Sequence, residues 1–140
     1  LFKDVPVDRV EVHPWSKHEI YPYKLAMLNL DIGLCPLTTN EFNRNKSAIK
    51  YFEYSVMKTA TVASDIPPYS PVINNGKDGL LVKDDQWFEA VESLVLDKEK
   101  RTKMGSLAYD NVFENYNADN HAHLWLDAYE SVLKKDLVAS

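Results

Sequence analysis

Residues 31–64 read DIGLCPLTTNEFNRNKSAIKYFEYSVMKTATVAS, and their division into elements decides the fold. DIGLCPL (Asp31–Leu37) is a short, nearly continuous apolar run of the buried-strand type. TTNEFNRN (Thr38–Asn45) is a polar loop. From Phe42 to Lys58 the chain turns into a good helix with Ile49, Phe52 and Val56 as an apolar stripe, and Asn45 stands where an N-cap is expected. TATVAS, ending at Ser64, is β-branched and buried in character. A strand, a loop, a helix and a strand make a βαβ unit, which implies a parallel sheet.

The flanking sequence extends this pattern. VDRVEVH (Val7–His13) alternates apolar and polar residues and predicts a strand, and KHEIYPYKLAMLNL carries Tyr23, Met27 and Leu30 at helical spacing. DIPPYSPV is a turn region, NNGKDG a tight turn and LLVK a further strand. Gly76 and Gly79 are expected to serve turn geometry at positive φ. In DDQWFEAVESLVL, Asp84 or Asp85 is the expected cap, with Phe88, Val91, Leu94 and Val95 on one face. KEKRTKMGSLAYDNVFENY and DNHAHLWLDAYESVLKK predict two more helices. The expectation is one Rossmann-like α/β domain over residues 1–140, with a parallel sheet of about four strands and flanking helices. Residues 1–9 are read as the tail of a missing unit, and residues 117–140 as a C-terminal helix.

Composition narrows the function. The 140 residues are 45% hydrophobic and 26% charged, an ordinary globular balance, and the net charge of −5 argues against a general nucleic-acid binder. The single cysteine, Cys35, permits no disulfide within the chain and suits a reducing, cytoplasmic setting. There is no transmembrane-length apolar stretch and no signal peptide pattern. The chain begins at Leu1, which suits a piece of a longer protein. His121 and His123 lack the spacing and partners of a zinc motif, so no metal is expected. Trp125, Tyr129 and Leu133 share a helix face, for which core packing is the default. There is no Ser–His–Asp order, no GxGxxG fingerprint and no carboxylate pair suited to hydrolysis.

The loop TTNEFNRN follows a strand and precedes a helix, where open α/β sheets bind ligands. A helix start attracts phosphate through its unpaired N–H groups and its dipole. Asn43, Arg44, Asn45, Lys46 and Ser47 supply donors there, with Lys50 a weaker member. Glu53 lies two turns into the helix, about 10 Å from its start, which is roughly the reach from a diphosphate to its ribose hydroxyls. The pattern suits a nucleoside-diphosphate site. The same residues also suit an ordinary Lys50–Glu53 surface pair and an ordinary Asn45 cap.

The order DIGLCPL, FNRNKSAIKYFEY, TATVASDIPPY, NNGKDGLLV and the helical run from Asp84 to Tyr116 resembles the C-terminal, donor-binding domain of GT-B glycosyltransferases, family 4 or group 1. The resemblance covers about Val10 to Tyr116. It implies a nucleotide-sugar donor and transfer of the sugar to a glycan, lipid or protein acceptor, as in polysaccharide biosynthesis. It implies that the loop and helix start hold the diphosphate, that Glu53 binds ribose, and that no bound metal is required. The segment holding His13 and Trp15 would lie near the base, with Trp15 alternatively covering the core edge. Ser64 and Asp65 would border the cleft or simply cap a turn. The family often has two glutamates separated by seven residues; here the first position is Asn45, and Glu41 is out of register. The resemblance further implies a missing N-terminal acceptor domain, through which the protein would associate peripherally with membrane. A final helix crossing to that domain would leave part of its face exposed, and the chain alone would bind donor weakly and transfer nothing. Two rivals stand beside this reading: a non-catalytic α/β interaction module of a larger protein, and a GT-B sugar-nucleotide epimerase.

Overall fold

The computed structural model describes residues 5–138. Three parallel strands form one sheet in the order β1 (Ile32–Cys35), β2 (Ala60–Ser64) and β3 (Leu80–Val82). The register pairs Ile32 with Ala60 and Cys35 with Ala63 on one side of β2, and Val62 with Leu80 and Ser64 with Val82 on the other. Every residue of β2 is buried, as befits the centre of a parallel sheet covered on both faces.

Side chains alternate along β2 and so feed two cores. Ala63 and Cys35 pack with Ala48, Tyr51 and Tyr69, and with Ala108 and Val112 of α5 (Lys98–Tyr116). Ala60 and Val62 pack with Val82, with Leu94 of α4 (Trp87–Leu96), and with Met104 of α5. Helix α5 thus serves both cores. It lies so close to the turn before β2 that a Cβ on Gly105 would sit 1.9 Å from the carbonyl oxygen of Lys58.

The Asp31–Ser64 unit is a βαβ crossover as expected, but its helical part is split. Asn40, not Asn45, caps α2 (Glu41–Arg44), its side chain accepting from the N–H of Asn43; Asn45 closes that helix at its C-terminal end. The main helix α3 (Ile49–Val56) begins only at Ile49, with no side-chain cap, so Glu53 lies about one turn, roughly 6 Å, from its start rather than two turns. Its buried face is Tyr51 and Ser55, while Ile49 and Val56 are exposed. The face is one residue, about 100°, from the expected stripe. Ser55 can be buried because its hydroxyl donates to the Tyr51 carbonyl at 2.7 Å.

Other expectations are corrected too. Val7–His13 is not a strand: Val7–Arg9 is a 3-10 turn after Pro6, and the rest pairs with no strand, so among the described residues the sheet has three strands rather than four. Alternation alone cannot make a strand where no neighbour offers a ladder, and Val7 and Val12 remain exposed. Neither Asp84 nor Asp85 caps α4; Gln86 precedes it, and its side chain accepts from the N–H of Lys83 at 3.0 Å. Leu94 is the buried residue of α4, with Trp87, Ala90 and Val91 partly buried and Phe88 and Val95 exposed. Of these two glycines only Gly76 has positive φ, at 79°; at Gly79 the constraint is space, since a Cβ would lie 2.8 Å from Ile73. Trp125, Tyr129 and Leu133, on α6 (Ala118–Val138), are exposed rather than core. Of the tail read over residues 1–9, residues 1–4 lie outside those described.

Candidate functional site

A cleft of about 880 Å³ lies between the loop of residues 11–18, helix α1 (Tyr21–Met27) and α3. His13, Pro14 and Trp15 line it on the loop side, Leu25 and Leu28 near α1, and Glu53 from α3. His13, Trp15 and Glu53, singled out separately in the sequence, thus meet in one cavity. Trp15 does not cover the core edge; it is 85% exposed. His13 Nε2 lies 3.3 Å from the Glu11 carboxylate, which orients the imidazole at the cleft.

Glu53 is held from two sides. Lys50 Nζ donates to its Oε2 at 2.8 Å, and the Tyr21 hydroxyl donates to the same oxygen at 3.0 Å. Lys50 also donates to the Tyr21 hydroxyl and lies 4.8 Å from the centroid of that ring. Burial opposes the charge on Lys50, but hydrogen bonds with Glu53 and Tyr21 outweigh it and hold the ammonium above the usual lysine range. The Lys50–Glu53 ion pair read from spacing is therefore present. Tyr21 was not legible as its partner: it comes from a helix 32 residues upstream, and nothing in YPYK marks a phenol aimed at a carboxylate.

The stretch Asn43–Ser47 does not line this cleft. Asn43 is buried, and its amide donates to the Thr38 carbonyl at 2.8 Å and the Thr38 hydroxyl at 3.2 Å. Asn45 donates to the Glu41 carbonyl at 2.9 Å. Both amides are spent on shaping the loop. Arg44, Lys46 and Ser47 are exposed, with Lys46 Nζ 5.0 Å from the Phe42 ring centroid. They flank the uncapped start of α3.

Two further polar side chains, Ser64 and Cys35, are engaged within the fold. Ser64 Oγ accepts from the Leu37 N–H at 2.9 Å and ties the end of β2 to the exit of β1. Cys35 is buried, which pushes its thiol up to about 11, partly offset by a hydrogen bond with Tyr69 and the charge of Lys50. Among the described residues no three His, Cys, Asp or Glu are grouped as a metal site would need, and no helix is long and apolar enough to cross a membrane.

No protein-family model matches the sequence, and neither does any curated protein. A solved structure does match: the C-terminal domain of a glycosyl transferase group 1 family protein (LpcC) from Francisella tularensis, with a TM-score of 0.62. The chain has the GT-B C-terminal-domain fold. The two sequences are 21% identical, and the match covers 76% of this chain and 52% of that one, so this chain spans about half the length of its neighbour. At that identity the likeness establishes the fold and leaves the chemistry to the site. In the GT-B C-terminal-domain fold seen here, Glu53 and the α3 start belong to the crossover that leaves β1, the edge strand of the sheet.

Proposed function

We propose that this chain is the donor-binding half of a hexosyltransferase-like glycosyltransferase, taking a nucleotide-sugar and passing the sugar to a glycan, lipid or protein acceptor. One observation carries the reading: a cleft that places an exposed Trp15 and His13 in the same cavity as a clamped carboxylate, Glu53. An aromatic ring offers a face for a nucleobase, and a carboxylate accepts from ribose hydroxyls. The fold supports the same reading.

In this arrangement the base lies against Trp15 and His13, and the ribose against Glu53. The diphosphate reaches toward the start of α3, where Arg44, Lys46 and Ser47 offer charge and donors and Lys50 contributes through its pairing. Asn43 and Asn45 hold the loop that presents them. Backbone dipoles and basic side chains stabilise the departing diphosphate, with no metal required. The transfer step takes place against a second, acceptor-binding domain of the same protein, and this chain alone binds donor without transferring. Sugar transfer by the purified 140-residue chain would refute that last point.

A non-catalytic interaction module is the second reading. It is favoured by the internal use of both loop asparagines, since Asn45 stands where the related enzymes often place a carboxylate. Titration of the labelled chain with UDP, GDP and ADP, followed by NMR, separates the two. Shifts at Trp15, Tyr21 and Glu53 with one base preferred support donor binding. No shift with any of the three at millimolar concentration supports the module.

A further inference from the structure

The clamp on Glu53 is asymmetric. Both hydrogen bonds, from Lys50 at 2.8 Å and from Tyr21 at 3.0 Å, end on Oε2. A carboxylate oxygen accepts about two hydrogen bonds, so Oε2 is saturated. Oε1 accepts from no side chain or backbone group among the described residues. Glu53 lines the cleft together with Tyr21. A glutamate on a helix otherwise samples several rotamers. Here a phenol from a separate helix, itself accepting from Lys50, restricts it to one.

We infer that Tyr21 is the positioning residue of this cleft: with Lys50 it pins one oxygen of Glu53, so that the other is presented to the 2′-hydroxyl of a ribonucleoside diphosphate. The inference rests on the donor-binding reading and adds a specificity to it, discrimination of ribose from deoxyribose. Tyr21 acts through Glu53 and does not contact the reacting atoms. An ordinary i,i+3 surface pair would need no third partner from α1.

The test is the affinity of the 140-residue chain for UDP, GDP or ADP, whichever binds most tightly, against its 2′-deoxy counterpart. A hydrogen bond from a ligand to a charged group corresponds to about tenfold or more, so the wild-type chain should prefer the ribonucleotide by about that factor. Tyr21→Phe should lower the preference to about two- to threefold. Lys50→Met removes the other arm of the clamp and should reduce the preference in the same way, which keeps the inference testable if Tyr21→Phe unfolds. Tyr21→Phe with the full preference retained overturns the role of Tyr21 and leaves donor binding standing. Wild-type binding with no ribose preference removes Glu53 from the ribose and overturns the inference alone. No binding of any of the three by the wild-type chain overturns the donor-binding reading together with the inference.

Discussion

Gly105→Ala should destabilise the domain strongly, although Ala is the better helix former. A Cβ at this position would lie 1.9 Å from the Lys58 carbonyl oxygen, 2.6 Å from its carbon and 3.4 Å from the Ala60 nitrogen, all backbone atoms. An ordinary C···O contact is about 3.3 Å or longer, so α5 and the turn must separate by about 1.4 Å. Neither side yields easily. Lys58 has φ of 56° and is separated from the central strand by Thr59 alone, while α5 carries Met104 into one core and Ala108 and Val112 into the other. Moving α5 by that amount opens space in both cores, and overpacking costs typically about 1–3 kcal/mol before any cavity term. Helix propensity opposes this by about 1 kcal/mol in favour of Ala. These two terms leave a loss of about 0–2 kcal/mol, to which the space opened in both cores adds, read as a lower urea midpoint at unchanged slope. A midpoint equal to or above that of the wild type would mean that α5 does not sit on this turn, and the packing account of both cores would fail with it.

Trp15→Ala should weaken nucleoside-diphosphate binding by about 1–3 kcal/mol, the usual worth of a base–aromatic stack, while the melting temperature stays unchanged because the side chain is exposed. Equal affinity in the two proteins would remove Trp15 from the base. Asn43→Ala should cost about 1–2 kcal/mol of stability in urea unfolding, since it removes the hydrogen bonds by which the buried Asn43 amide holds Thr38; a purely ligand-facing Asn43 would leave stability unchanged. Stability should fall as pH rises from about 9 toward 11, because Cys35 ionises in the unfolded chain from its ordinary value of 9.0 but stays protonated when folded up to about 11. Cys35→Ala should make that decline shallower in a pH series of unfolding curves; an equal slope would place the alkaline sensitivity elsewhere, with the buried Tyr51 and Tyr69, whose hydroxyls burial also pushes up, next in line. Helix α1 has no buried residue, so it should open locally and exchange amide hydrogen faster than β2, and a bound nucleoside diphosphate should slow exchange in α1 selectively. Uniform slowing across the chain would argue against binding at the α1 cleft.

The parts of the fold that were legible are those where local chemistry and burial agree. In β2, small and β-branched residues leave no polar face, and all five positions are buried. The glycine and asparagine cluster at Asn74–Gly79 does form a tight turn, with Asn75 bridging to Gly79. What misled was phase rather than type. Along α3, Ile49–Phe52–Val56 and Ala48–Tyr51–Ser55 have the same helical spacing and differ by one residue. The sequence favours the first on hydrophobicity, but the second wins. Tyr51 can be buried because Asn111, 60 residues away, donates to its hydroxyl at 3.2 Å, and Ser55 satisfies itself on the helix backbone. Along α4 the buried face is again shifted, toward Trp87 and Ala90. Val7–His13 failed for the complementary reason: its alternation describes a strand, but pairing depends on a neighbour that the segment does not meet.

The candidate site divides the same way. Lys50 and Glu53 were legible as a pair because three residues along a helix bring them together whatever the rest of the chain does. Spacing says nothing about whether such a pair is idle or functional; that depends on what else reaches the carboxylate. Tyr21 reaches it from outside the helix, and with Lys50 it places two hydrogen bonds on one carboxylate oxygen of Glu53. The asparagines illustrate the reverse. Asn43 and Asn45 sit in a loop where ligand donors are expected, and their amides instead close the loop on Thr38 and Glu41. A polar residue beside a strand end is therefore informative only once its own hydrogen bonds are accounted for. By that accounting Asn43 and Asn45 are engaged within the loop, while Glu53 lines the cleft between α3 and α1.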